Sequence, residues 1–316
     1  MRYAIMIEPQ QGMSYDDILR VALAAERAGI ETFFRSDHYS SFPDAGLATT
    51  DAWATTAGLA RDTSTVKLGV LVSPAIFRLP GPLAKMIATV HEMSGGRVEV
   101  GLGAGWHEGE ARQFGVPFPP VRERLDMLEE QVAVVRGLWE QPAGWSFQGK
   151  HYQIEDALFA PRPDDEGRPP IHVIMGGDGK PRGCRMAAEH ADEYNVVFAT
   201  PERARTAYDG IRAACEQRGR DADEIVRSAL CGVLVGATEA EYRERRRRQD
   251  DVLGDSDVGV EPPADRAGRW LLGTPEQALE RVAALEAAGV QRIVLHDYLP
   301  EDLEMIELIG ERLVRA

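Results

Sequence analysis

Four stretches of the 316-residue chain carry residue types and spacings that could do chemistry. Asp37 and His38 close the apolar run TFFRSDH. An imidazole beside a carboxylate suits proton transfer near neutral pH. Adjacent residues on an extended chain point opposite ways, so one can face a cavity while the other braces it. From Ser94 to Gly115 the chain reads SGGRVEVGLGAGWHEGEARQFG, with Gly101, Gly103 and Gly105 at alternate positions and then Trp106, His107, Glu108 and Glu110. Farther on, GGDGK (Gly176 to Lys180) runs into the helical pattern PRGCRMAAEHA. Glycines before a helix N-terminus turn backbone N–H groups and the helix dipole on an anion, and Lys180 adds a point charge. The fourth stretch, YRERRRRQDD (Tyr242 to Asp251), concentrates cation between Arg243 and Arg248. A solvated helix face is its ordinary reading; a patch for an anionic ligand is the sharper one.

The glycine-rich stretch fails two familiar tests. A dinucleotide fingerprint needs G-x-G-x-x-G flowing into a helix, but Trp106 stands at the third glycine and the next regular helix is expected only near Arg122. Zinc would need the H-E-x-x-H spacing, which His107, Glu108 and Glu110 lack, so no metal is expected. What remains is bare backbone against which a flat ring could lie. Ser73, before Pro74, could donate to a ligand; Gly69 could simply relieve crowding inside a barrel; Asn195 in ADEYN could orient a polar group or merely turn the chain.

These residues need elements to position them. YAIMIE, TFFRSDH, VKLGVLVSP, RVEVGLG, IHVIMGG, EYNVVFA, SALCGVLVG and QRIVLHDY read as strands, each followed by a helical pattern. Ser14 and Asp17 form a capping box for the first helix, and Gly95 stops the third. The strands are mostly continuous apolar runs, as in a parallel sheet covered on both faces. The rhythm predicts an α/β fold, a (β/α)8 TIM barrel in a single domain over 1–316, with an insertion after helix 4 at about 143–170. That insertion holds a hairpin turning near Gly149 and a proline-rich stretch, and GVEPPADRAG (259–268) reads as a loop. In such barrels chemistry sits at the C-terminal strand ends, where all four stretches fall.

Composition narrows the partners. At 44% hydrophobic and 28% charged the chain can bury a large core, and a net charge of −15 argues against nucleic acid. There is no apolar run of about 18 residues and no export signal, so neither membrane nor secretion is expected. Three widely spaced cysteines (Cys184, Cys215, Cys231) fit reduced thiols in a cytoplasmic protein.

Over nearly its whole length the chain resembles the bacterial luciferase-like monooxygenase superfamily, most closely its actinobacterial branch of F420-dependent oxidoreductases. RSDHYSSF, the block from LVSPAIFRLPG to FGVPFPP, IMGGDGK, AAEHADEYN and GTPEQALERV carry the likeness. The resemblance implies a ring bound at the barrel mouth, with Asp37 and His38 facing it. It places Ser73, Ala104 and Gly105 against the ring or its side chain and Gly176, Gly177 and Gly179 around a phosphate-bearing tail. A non-prolyl cis peptide is expected near Val70 and Leu71, which count among the cofactor-binding positions. Related sugar-phosphate dehydrogenases carry a catalytic Glu directly after the glycines; Trp106 stands there, which argues against glucose 6-phosphate. The resemblance thus implies hydride transfer between coenzyme F420 and a small organic substrate, with catalytic His38 handling the proton and Asp37, catalytic and cofactor-binding, orienting it or contacting the ring. FMN, reduced by a separate reductase for a monooxygenase, is the alternative cofactor; a cofactor-binding barrel without turnover is the alternative of another class. A homodimer is expected on the same ground.

Overall fold

The computed structural model describes residues 1–42, 46–253, 266 and 268–315. Most of the expected loop at 259–268 therefore lies outside the described residues.

Alternating strands and helices close into the expected barrel. The strands are β1 (Arg2–Ile7), β2 (Thr32–Arg35), β3 (Lys67–Pro74), β4 (Val98–Gly103), β5 (Trp145–Gln148), β6 (Gln153–Ala157), β7 (His172–Gly176), β8 (Glu193–Val197), β9 (Val226–Val235), β10 (Leu271–Gly273) and β11 (Arg292–Asp297). The helices are α1 (Tyr15–Ala28), α2 (Ala52–Asp62), α3 (Pro80–Met93), α4 (Glu108–Gln113), α5 (Val121–Glu140), α6 (Pro181–His190), α7 (Pro201–Arg218), α8 (Glu239–Leu253), α9 (Pro275–Glu286) and α10 (Leu303–Ile309). Sheet order runs β9-β11-β1-β2-β3-β4-β7-β8, all neighbours parallel, and β8 pairs back onto β9 to close the ring.

Continuous apolar strands form here because both faces are covered. Ala4 and Met6 of β1 point inward to pack with Phe34, Leu71, Ile174, Leu230 and Val294, while Tyr3, Ile5 and Ile7 join the larger core under the helices. Gly69 makes room for the Phe34 ring, as a side chain at 69 would collide with it. Ser14 and Asp17 make the expected capping box on α1, and Gly95 takes a left-handed conformation just past α3. The N-terminal end of the barrel is filled by buried charge. Arg292 pairs with Glu99 and Glu193, at 2.8 Å each, and donates to Thr32.

Two features depart from the simple repeat. The insertion is a separate antiparallel hairpin, β5–β6, whose turn is held by Glu130 of α5 accepting the N–H groups of Lys150, His151 and Tyr152. The three-residue β10 adds a strand beside the end of β9 that the sequence reading does not contain. No helix among the described residues is long and apolar enough to cross a membrane.

Candidate active site

A cavity of about 620 Å³ opens at the C-terminal strand ends. Its wall is mainly apolar, from Met6, Phe42, Leu71, Val72, Leu102, Trp106, Ile174, Phe198 and Leu230, and among the described residues no Lys or Arg lines it.

His38 stands on the loop after β2, and the fold determines which of its nitrogens is available. Nδ1 lies 3.0 Å from Oε2 of Glu110, in the first turn of α4. The other Glu110 oxygen accepts the N–H groups of Tyr39 and Ser40, so one buried carboxylate fixes both the ring and its loop. Burial alone would disfavour the His38 cation. The bond to Glu110 and the fields of Glu8, Glu110 and Asp37 outweigh it, holding the His38 pKa above its ordinary value. Burial likewise pushes Glu110 up, but His38 and the two N–H donors prevail, and its pKa is lowered. Phe42 and Trp106 close edge-on over the imidazole, with ring centres 4.5 and 5.9 Å away.

Asp37, buried beneath His38, is the brace of the pair. Arg78 reaches both of its oxygens, Nη2 to Oδ1 at 3.1 Å, and Ser73 Oγ donates to Oδ2 at 2.9 Å. Ser73 also accepts from Trp53 Nε1 at 2.9 Å. Its hydroxyl is thus spent inside the protein, and Ser73 is not in the cavity wall. Of the other expected cofactor-binding positions, Leu71, Gly105, Gly176 and Gly177 line the cavity, while Val70, Ala104 and Gly179 do not.

The bare-backbone shelf is corrected by the structure. A side chain at Gly101 would collide with Leu71 and Val72, and one at Gly103 with Val72. The β3–β4 register shifts between Val70 and Ser73, and the cis peptide falls at Leu71–Val72, one bond beyond the expected place. The glycines accommodate those two side chains, so Leu71 and Val72 take up much of the wall there, with Gly103 and Gly105 still lining it. Gly105, at φ +79°, is the one glycine of the three whose conformation itself favours glycine.

Two further expectations change. At the GGDGK turn, the Gly177 N–H donates to the Asn195 carbonyl and the Gly179 N–H to Tyr194 Oη, so these amides are already engaged. Gly179 is needed for its φ of +72° and its close approach to Ala207, and Asp178 pairs with Arg203. Lys180 is exposed ahead of α6. The arginine run is not a free cationic patch. Arg245 is buried against Asp302 and Glu241, Arg248 also reaches Asp302, Arg246 pairs with Asp250, and Arg247 pairs with Glu244 and Asp251. Each charge already has a local carboxylate, the outcome expected for an acidic protein.

Sequence reasoning missed two groups. The helix α4 begins at Glu108, well before Arg122, with His107 as its cap: the His107 ring accepts the Glu110 N–H at 2.8 Å. Six residues carry too little periodicity to be read as a helix. The second group lies on β1 and β11. His296 Nε2 meets Glu8 Oε1 at 2.7 Å, and Tyr298 Oη meets His296 Nδ1 at 2.9 Å. Gln10 joins Glu8 at 2.7 Å and accepts from Ser36 at 2.8 Å. Burial would raise the Glu8 pKa, but His296 and His38 bring it down to about 2. Beside this chain Asp297 is fully buried; Oδ1 accepts the Leu299 N–H, and Oδ2 has no partner among the described residues. Burial pushes its pKa up to about 7.

The family model described as luciferase-like monooxygenase matches residues 1–292. An FMNH2-dependent dimethylsulfone monooxygenase of Pseudomonas putida is 28% identical, over 91% of this chain and 84% of its own. An F420-dependent glucose-6-phosphate dehydrogenase of Microbacterium testaceum is 26% identical, over 95% of this chain and 92% of its own. Among solved structures, an F420-dependent secondary alcohol dehydrogenase superposes with a TM-score of 0.83, covering 99% of this chain and 98% of its own at 22% identity. That last likeness shows the fold.

Proposed function

Because the chain belongs to the luciferase-like monooxygenase family, we propose that it is an oxidoreductase moving a hydride between coenzyme F420 and a small organic substrate. The observation that carries this reading is the His38–Glu110 pair set in a mainly apolar cavity. Leu71, Val72 and Leu102 offer a flat aliphatic surface to a ring, with His38 and the Asp297 carboxylate as polar groups in the wall. For a phosphate on the tail, Lys180 and the start of α6 are the nearest fit, since the wall itself carries no Lys or Arg among the described residues.

When bound, the deazaflavin ring supplies or accepts the hydride at C5. The chain's own residues do the rest. A hydride moved without a proton leaves charge on the substrate, which an apolar cavity disfavours. Glu110 holds Nδ1 of His38, which makes Nε2 the nitrogen that gives or takes that proton. Asp37, clamped by Arg78 and Ser73, keeps the loop in place, and Phe42 and Trp106 shield the imidazole from water.

A second reading, an FMN-dependent monooxygenase fed by a separate reductase, is favoured by the dimethylsulfone monooxygenase likeness. Titrating the protein with F420 and with FMN, each followed by quenching of its fluorescence, decides between them. The proposal expects tighter binding of F420; tighter binding of FMN overturns it. A homodimer belongs to the same proposal and is checked by sedimentation.

A further inference from the structure

The polar groups of the cavity are not scattered. Tyr298, His296, Glu8, Gln10 and Ser36 form one unbroken hydrogen-bonded chain across the ends of β11, β1 and β2, three neighbours in the barrel. It ends one residue before the Asp37–His38 pair. The remaining wall is largely aliphatic and aromatic.

The charges of that wall are each accounted for. Asp37 is neutralised by Arg78, Glu8 is bound by His296, and Asp297 is so deeply buried that it holds a proton to near neutral pH. Glu301 is the one further carboxylate of the lining, and it is exposed. An anionic group brought into this space would meet carboxylates and no Lys or Arg among the described residues, and the His38 imidazole is already paired with Glu110. An ammonium would find no carboxylate that is not already paired or neutralised by burial, other than Glu301. A hydroxyl, in contrast, needs only a hydrogen-bonding partner, and the Tyr298 oxygen, its own proton directed to His296 Nδ1, can accept from it without a net charge to desolvate.

We propose that the Tyr298–His296–Glu8 strip, beside His38, is the subsite for the hydroxyl group of an electrically neutral, mainly apolar substrate. This deepens the oxidoreductase reading and rests on its assignment of the cavity to substrate. The placement has a chemical sense, because it puts the reacting oxygen on the wall that carries His38.

The test uses four probes of one skeleton on the full-length protein at pH 6, where Asp297 still holds its proton, by calorimetric titration: benzyl alcohol, benzoate, benzylamine and toluene. Benzyl alcohol should bind at least about tenfold more tightly than benzoate, and also more tightly than the benzylammonium ion. Tyr298→Phe keeps the ring that stacks on Trp270 at 5.3 Å and removes only the hydroxyl. It should weaken benzyl alcohol about three- to tenfold and leave toluene unchanged. Benzoate or benzylammonium binding as well as the alcohol, no saturable binding of the alcohol, or equal losses for alcohol and toluene in the variant would each overturn the proposal. The cofactor titration is read separately: tighter binding of FMN sinks the F420 assignment and leaves these outcomes standing.

Discussion

Glu110 and His38 are 72 residues apart in the chain, and their side chains meet at 3.0 Å inside the barrel mouth. The carboxylate that orients the imidazole comes from the first turn of α4 and not from the neighbouring Asp37, which is committed to Arg78.

That relationship sets the titration of His38. Glu110→Gln removes the bond and the negative charge that raise the imidazole's pKa, so burial then dominates and the pKa falls. In an NMR titration His38 should lose its proton at lower pH in the variant than in the native protein. The corresponding limb of the pH–rate profile should move the same way. In stability terms the native bond contributes below the ordinary histidine pKa and is lost as pH rises through the raised one, so the variant's deficit should shrink in alkaline solution. A His38 titration unchanged by Glu110→Gln would break the link.

Replacing His38 itself by Ala should lower turnover by about 10²–10⁴-fold, with cofactor affinity nearly intact. An unaltered kcat would remove the imidazole from the chemistry.

Asp297 makes a prediction of opposite sign to most carboxylates. Its pKa is raised from 3.8 to about 7, so the folded state favours the proton. Its contribution to stability is full below the ordinary value and is lost as pH rises through about 7. Asp297→Asn can keep the bond from Leu299 and cannot ionise. Thermal melts should show the variant more stable than the native protein at pH 8, by up to about 4 kcal/mol, with the difference vanishing near pH 4. Equal melting at both pH values would show that the group does not titrate in the fold.

At the other end of the barrel, Arg292→Met should destabilise by about 3–5 kcal/mol, because Glu99 and Glu193 would stay buried without the cation they share, left with Lys67 and His172 alone. Urea unfolding measures this, and a loss below about 1 kcal/mol, the range of surface pairs, would contradict it.

The arginine run yields a contrast within one helix. Arg247→Gln, on an exposed pair, should change the affinity for long- and short-tailed F420 equally and leave melting unaltered. Arg245→Gln should lower the melting temperature, since it leaves Asp302 buried and short of a partner. A selective loss of long-tailed binding in Arg247→Gln would restore the cationic-patch reading.

The barrel was legible because its eight strands are continuous apolar runs between helical patterns, a signal that survives without any knowledge of contacts. The same method missed β10, with three residues, and α4, with six, since neither is long enough to show a period. His38 could be picked out because its residue type and strand-end position speak for themselves. Glu110 could not, because its importance arises only when β2 and β4 are brought side by side with β3 between them. Glycine was read as vacancy at positions 101 and 103, yet the fold gives that room to Leu71 and Val72. A missing side chain signals close approach without saying what approaches.

The buried Arg292–Glu99–Glu193 cluster has a consequence for traffic. It stoppers the barrel floor, so among the described residues the cavity has no outlet through that end. Whatever lies deepest must arrive first and leave last, and a molecule seated at the rim imprisons the one beneath it.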